Sequence, residues 1–300
     1  MNSEELKECF EYVKDLILKC GEILKEGFKD CGEVMTKANP SDVVTIYDQK
    51  IEEILIGGIR KKYPDHKFIA EEQAAKSKEA QVLTSLPTWI IDPIDGSLNF
   101  VAKSPLVCIS VALTINEDLV IAFLYNPLTN EFFSAQKGLG AFLNGNKIKV
   151  RETEVLQGST IATEINFGTF PFVRPQMMAK LNLFFENHIR IRTLGSAALE
   201  MGYLAKGTFQ LFLCERLKPW DVAAGALIIL EAGGVVIDIK TGEDYKIMQP
   251  NIIAASNMKI ALELKKALDG IDAKLEEEGK TPKILYEKFI AAGGNIKDLR

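Results

Sequence analysis

The sequence predicts an α+β protein built in layers, and three observations carry that expectation. Apolar residues at helical spacing open the chain, β-rich runs separated by turn signals fill its middle, and helices alternate with strands after about Ser159. Three hundred residues with 47% hydrophobic content can bury a substantial core, in one large domain or two intimate ones.

Leu6, Phe10, Val13, Ile17, Cys20 and Leu24 recur at steps of three and four, which predicts an amphipathic first helix. Asn39-Pro40 reads as a turn and Val43-Val44 as a short extended piece. A second helix carries Ile51, Ile54, Leu55 and Ile59 inward and stops before Pro64. "KFIAEEQ" is a brief strand that ends on Glu71 and Glu72. In "LVCISVALTINEDLVIAFLYNPLTNEFFSAQKGLGAFLNGNKIKV" the breaks "NED", "NPLTN" and "NGN" predict a meander of antiparallel strands. Beyond it, "STIATEI", "TFQLFL", "VVIDI" and "NIIAAS" read as strands. Residues 175–186, "SAALEMGYLA" and "WDVAAGALIILEAGG" read as helices. The chain thus divides into an N-terminal half (1–155) with the meander, a C-terminal half (156–266) with the WDVAAG helix, and a tail (267–300). In the tail, Ile284, Leu285, Phe289 and Ile290 mark one face of a short helix.

A formal net charge of −5 gives no basic footprint for nucleic acid. The first residues are charged, with no uninterrupted apolar stretch, which excludes a signal peptide or a membrane span there. Five cysteines, an odd number with no C-x-x-C pair, argue against a disulfide framework or structural zinc and for a reducing cytoplasm. Cys9, Cys20 and Cys31 are eleven residues apart, which returns them to one inward side of a helix. The only two histidines, His66 and His188, stand in unremarkable polar settings, so histidine-based catalysis is disfavoured.

The acidic residues carry more. In "TWIIDPIDGSLNF", Asp92 and Asp95 flank Pro93-Ile94 in an expected turn that can aim both carboxylates and the Ile94 carbonyl at one point. Oxygen-only ligands suit a hard divalent cation, Mg²⁺ above all. Gly96 permits close backbone approach, and Ser97 is positioned as the N-cap of a following helix, a ready anion site. Read alone, "DPIDG" is equally an ordinary turn, and the ordinary turn is favoured. Glu71-Glu72 at a strand end and Asp221 at a helix start add two more acidic points able to meet the first.

These residues resemble a known family. "WIIDPIDGSLNF" followed by "KPWDVAAGALIILEAGG" is similar to the paired signatures of the inositol monophosphatases. "SDVVTIYDQKIE", "YPDHKFIAEE", "GAFLNG" and "IRIRTLGSAALEM" match intervening family segments in order, up to about Lys266. The resemblance implies an α/β/α/β/α sandwich of the sugar-phosphatase type, usually a homodimer. It implies hydrolysis of a small phosphorylated substrate by metal-activated water attack with two or three Mg²⁺ ions, and lithium sensitivity. By the same resemblance, Glu71, Asp92 and the Ile94 carbonyl hold a first metal and Asp92, Asp95 and Asp221 a second. Glu71 also helps place a third, while Gly96 and Ser97 amides contact phosphate. Asp48 and Ser97 orient and deprotonate the attacking water, Gly195, Ser196 and Ala197 line the polyol side, and Lys37 sits on a closing loop.

Three positions depart from the family pattern. Ser97 stands where threonine is usual and keeps the hydroxyl; Ala70 replaces a glycine. Cys214 occupies the place, seven residues before Asp221, where inositol-preferring members carry a substrate-touching glutamate. The glutamate here is Glu215, one residue along, and a one-residue slip on a strand points a side chain to the other face unless a bulge restores it. Fructose-1,6-bisphosphate and 3′-phosphonucleotide or dinucleotide phosphates are therefore alternative substrates, and a non-enzymatic regulatory role is a third reading.

Overall fold

A computed structural model describes residues 1–30, 34–36, 43–77 and 81–294. It bears out the five-layer sandwich. After helix α1 (Ser3–Lys29), the strands β1 (Val34–Thr36) and β2 (Val43–Thr45) pair antiparallel and lead into α2 (Ile46–Lys62). Next come β3 (Lys67–Ala70), α3 (Glu71–Lys76), β4 (Thr88–Asp95) and α4 (Ser97–Val101). The meander follows as β5 (Cys108–Ile115), β6 (Asp118–Asn126), β7 (Glu131–Gln136), β8 (Gly140–Leu143) and β9 (Asn146–Ile148). With β3 and β4 these make a seven-stranded sheet in sequential order, antiparallel except at β3–β4. The second half contributes β10 (Thr160–Thr163), α5 (Arg174–Glu186), β11 (Arg190–Arg192), α6 (Ala197–Ala205), β12 (Leu211–Cys214), α7 (Pro219–Glu231), β13 (Val235–Asp238) and β14 (Ile252–Ala255). Its five strands order as β11-β10-β12-β14-β13. Helices α8 (Met258–Glu277) and α9 (Pro282–Ala291) close the described chain.

Helices α1 and α2 cover the outside of the large sheet, α6 and α7 lie between the sheets, and α5 and α8 cover the outside of the small one. Three apolar clusters fill the three interfaces, with Trp89 and Phe123 in the first, Met201 and Phe212 in the second, and Phe184 and Leu264 in the third. Local signals explain the elements. Asn2 caps α1, accepting N–H bonds from Glu4 and Glu5 at 3.0 Å while Glu5 accepts from Asn2. Asn144 and Gly145 both have positive φ, the primed-turn geometry that joins β8 to β9. Cys9 and Cys20 face inward on α1, as their spacing predicts.

The structure corrects several sequence expectations. The strand before the acidic pair ends at Ala70, and Glu71-Glu72 open α3. Asp92 to Asp95 is strand, not turn, and α8 runs through residue 267, so the tail begins later than expected. Ile284, Leu285, Phe289 and Ile290 do fall on a short helix, α9. His66 is not simply solvated: it accepts the Trp89 indole N–H at 3.0 Å and stacks on Tyr63, and burial lowers its pKa. Cys31, the Asn39-Pro40 turn and Lys37 lie outside the described residues. Among the described residues, no helix is long and apolar enough to cross a membrane.

Packing between the sheets is tight at Gly225 of α7, where a Cβ would fall 2.6 Å from the Met201 Cβ of α6. Gly57 on α2 has open space around it. Gly225→Ala is expected to destabilise the protein by about 1–3 kcal/mol through overpacking. Gly57→Ala should stabilise it by about 0.5–1 kcal/mol by lowering unfolded-state entropy. Urea unfolding of the two variants checks both signs.

Candidate active site

β4 is buried along its whole length and ends on the acidic pair. In a regular strand, residues three apart point to opposite faces. Here the pairing with β5 slips: Asp92 lies opposite Ser110 and Asp95 opposite Cys108, so Pro93 and Ile94 add one residue to the β4 side. This bulge brings the two carboxylates to one side. Proline suits the bulge because it has no N–H to leave unpaired. Asp92 Oδ1 accepts the Ile94 N–H at 3.0 Å, which fixes the bulge locally.

Asp221 arrives from the first turn of α7, where its Oδ2 accepts the Lys218 N–H at 2.7 Å. Pro219 begins that helix, and Ser110 of β5 donates to the Trp220 carbonyl at 3.1 Å, tying the helix start to the large sheet. One carboxylate oxygen from each of Asp92, Asp95 and Asp221 lies within 4.8 Å of the others. Glu71, first residue of α3, reaches hydrogen-bonding distance of Asp92. Glu52 of α2 holds α3 in place, accepting the N–H groups of Glu72 at 2.7 Å and Gln73 at 2.9 Å. Burial pushes Glu52 up to about 7.

The aspartates are strongly perturbed. Burial pushes Asp92 well above the usual carboxylate range, and Glu71, Asp95 and Asp221 add repulsion. Burial likewise raises Asp221, with the Asp95 charge next. Asp95 is pushed up to about 7, although the Ser196 hydroxyl and the Ala198 N–H at 2.9 Å both donate to its Oδ2. Those donors sit at the start of α6, so Asp95 caps a helix of the second half from a strand of the first.

Gly96 has φ 92°, and a Cβ there would lie 3.0 Å from the Leu106 carbonyl and 3.1 Å from that of Gly195. Only glycine fits that crossing. Gly96 is thus the cap of α4, and Ser97 is its first residue, where the sequence placed the cap on Ser97. Ser97 Oγ lies 3.2 Å from Asp48 Oδ1 and 3.0 Å from the Ile94 carbonyl. Asp48 is fully buried in the first turn of α2, and its Oδ2 accepts both the N–H (2.8 Å) and the hydroxyl (2.6 Å) of Thr45. Asn99 bridges the Leu106 and Leu194 carbonyls, tying this turn to the 194–197 segment.

The structure therefore brings together Asp48, Glu71, Asp92, Ile94, Asp95, Gly96, Ser97, Gly195, Ser196, Ala197 and Asp221. It turns Glu215 away. Cys214 belongs to the inner cluster between the sheets and Leu213 to the outer one, so strand alternation sends Glu215 outward. There it pairs with the buried Lys180 of α5. Two other acids, not singled out in the sequence, stand against the 194–195 segment. Glu164, just past β10, accepts the Gly195 N–H at 2.8 Å. Glu200 of α6 accepts the Leu194 N–H at 2.6 Å, and burial, then the Glu164 charge, raises it well above the ordinary range. Their charges also reach the Cys214 thiol, which burial keeps protonated. Only the inward parity of residue 164 relative to Ala162 could have pointed to the first of them.

A crowded set of buried oxygens beside a polar, glycine-lined turn can hold a divalent cation and receive an anion. Comparison with known proteins agrees with this chemistry. A profile described as the inositol monophosphatase family matches residues 5–277. Inositol monophosphatase 1 from Rattus norvegicus and that from Homo sapiens are each 36% identical over 273 residues, covering 91% of this chain and 98% of the relative. Among solved structures, the extragenic suppressor protein suhB from Bartonella henselae superposes with a TM-score of 0.78 at 31% identity, covering 87% of this chain and 98% of that one. An IMPase from Thermotoga maritima gives 0.75 at 31% identity, covering 91% and 99%. This chain belongs to the inositol monophosphatase family and is a phosphomonoester hydrolase that acts on a small phosphorylated substrate.

Proposed function

We propose that the protein hydrolyses inositol monophosphate or a similar sugar phosphate with two or three Mg²⁺ ions held at the acidic end of β4. The observation that carries this reading is the convergence of Asp92, Asp95 and Asp221 within 4.8 Å, each with its carboxyl pushed up by burial. Desolvated carboxylates with an all-oxygen donor set fit a hard cation, and the cation offsets their repulsion. Glu71, Asp92 and the Ile94 carbonyl would hold a first ion; Asp92, Asp95 and Asp221 a second. Glu71 would also face the waters of a third. Such ions supply neutralisation of the phosphate dianion and acidify the attacking water.

The chain's own groups do the rest. Asp48 Oδ2 is occupied by Thr45, which leaves Oδ1 for the Ser97 hydroxyl. Ser97 can accept a proton from the attacking water as it passes its own to Asp48, a general-base relay. Gly96 and Ser97 present backbone N–H groups to the phosphate, and the absent Cβ at 96 admits it. Gly195, Ser196 and Ala197 line the polyol side. Glu164 rather than Glu215 meets the substrate's hydroxyls, because Glu164 holds the Gly195 amide while Glu215 is engaged by Lys180. A cytoplasmic homodimer completes the reading; the four described cysteines are free and buried, as a reducing compartment allows. A monomer in light scattering would remove the dimer from it.

The neutral Cys214 favours one competing reading within the same chemistry, a preference for fructose-1,6-bisphosphate or a 3′-phosphonucleotide. Ranking kcat/KM across these and inositol 1-phosphate separates the two. Absence of Mg²⁺-stimulated phosphate release from every ester would sink the function itself.

Asp221→Asn should lower kcat/KM at least about a hundredfold. Ser97→Ala should lower kcat by roughly 10²–10⁴, while Ser97→Thr retains activity. Glu164→Gln should raise KM for the polyol ester, with Glu215→Gln affecting thermal stability instead. A pH effect follows from burial. In metal-free protein the folded aspartates bind protons more tightly than the unfolded chain, so their stabilising contribution is full below the unfolded pKa, near 4 for Asp95, and is lost as pH rises through about 7. The Tm of the metal-free protein should fall between about pH 5 and about pH 8. Millimolar Mg²⁺ should restore it at the higher pH. A Tm indifferent to both would contradict the charge crowding.

A further inference from the structure

We propose that α9 is a specificity element: its aromatic face anchors the 165–173 segment, which forms one wall of the polyol side of the site. This rests on the phosphatase reading above and adds to it a residue set outside the family match, which ends at residue 277.

The segment begins beside the site and ends at the helix that covers the outward face of β12. At one end, Glu164 accepts the Gly195 N–H, and the Gly195 carbonyl in turn abuts Gly96. At the other, α5 carries Lys180, paired to Glu215 beside Cys214. Between them the chain makes a 3-10 turn at Asn166–Thr169 and presents Phe167, Phe170 and Phe172, none fully buried. Phe167 packs on the cluster between the sheets. Arg174 donates to the Gly168 carbonyl at 3.1 Å and to that of Thr169 at 3.2 Å, and Gln176 donates to Asp272 of α8 at 2.9 Å. These bonds, with those that the Phe170, Val173 and Arg174 N–H groups make within the turn, fix the backbone, and the Phe170 and Phe172 rings take a further hold of their own.

α9 supplies that hold. Phe172 meets Tyr286 edge-on at 5.3 Å and Phe289 at 6.2 Å between ring centroids, and Phe170 stacks on Phe172 at 5.6 Å. The helix is capped by Thr281 and started by Pro282, so its register is fixed locally. Yet none of its residues is fully buried, and none belongs to the three core clusters. A helix that adds nothing to the core but docks its rings on one segment acts on that segment. The Glu164 carboxylate stands at the start of this segment and depends on how the segment lies, so α9 sets the width and polarity of the substrate side without touching the metal ligands.

The test uses full-length protein carrying Tyr286→Ala with Phe289→Ala, and separately Phe172→Ala, Phe172→Leu and the α9 control Ile290→Ala, whose side chain has no ring partner. Inositol 1-phosphate is compared with methyl phosphate, which has no polyol. The double variant and Phe172→Ala should raise KM for inositol 1-phosphate roughly threefold to tenfold, with kcat and both methyl phosphate constants held within about twofold. Phe172→Leu should recover most of the loss, and Ile290→Ala should match wild type. Amide hydrogen exchange at 165–173 should quicken in the double variant. An unchanged KM, a parallel loss on both esters, or unchanged exchange each overturns the inference. If wild-type protein hydrolyses neither ester, that failure belongs to the phosphatase reading. The affinity for inositol 1-phosphate, measured by titration calorimetry, then decides this one: a Kd unmoved by the double variant, or no binding at all, overturns it.

Discussion

The site depends on like charges being crowded together out of water. Burying a carboxylate costs several kcal/mol, whereas a hydrogen bond to a charged group returns about 1.5–3 kcal/mol. Asp95 receives two such bonds, from Ser196 and Ala198, and still sits at about 7, so desolvation wins. Asp221 has one backbone donor and Asp92 supports its own bulge, and burial raises both in the same direction. A fold tolerates such a cluster only when the surrounding structure over-determines it. Here the whole buried length of β4, the α6 start and the α7 start all fix the same point.

That over-determination joins the two sheets. Asp92 and Asp95 belong to the large sheet, Asp221 to a helix of the second half, Asp48 to the outer layer and Glu71 to the short α3. α7 packs on β4, β5 and β6 as well as on β13, so the helix bearing Asp221 is anchored to the strand bearing its partners. Gly225 lets α7 and α6 approach closely enough to share the space between the sheets. The 151–159 crossing is therefore a place where the chain changes sheets, and the halves it joins share one acidic cluster and one central core.

Much of this was legible in the sequence, and what was not has identifiable reasons. Helical spacing located α1 and α2, and Asn144-Gly145 located a hairpin, because those signals are local. The bulge at Pro93-Ile94 was not legible: Asp-Pro and Asp-Gly are also turn dipeptides, and the slipped register exists only against β5. Nothing local separates Glu71-Glu72 from a strand end, since the partner that satisfies the donors at the start of α3, Glu52, lies some twenty residues away. The helix cap moved from Ser97 to Gly96 because the close Gly195 carbonyl, a tertiary contact, imposes the left-handed backbone. Strand parity did foretell that Cys214 and Glu215 face opposite sides. Nothing foretold Glu200, a lone acid on an otherwise apolar helix.

Cys214 is best understood together with those unmarked acids. The Glu164 charge already raises the proton affinity of the buried Glu200, and Asp95 is near enough to feel Glu164. A third carboxylate at 214 would lie in the same desolvated space, and the Lys180 ammonium that could offset it faces the opposite side of β12 and is taken by Glu215. A buried thiol held neutral avoids that repulsion and fills the volume. A neutral residue at 214 and glutamates at 164 and 200 are thus electrostatically consistent with one another. The nearest unforced acid on that side is Glu164, at a neighbouring strand end, where the Gly195 amide holds it.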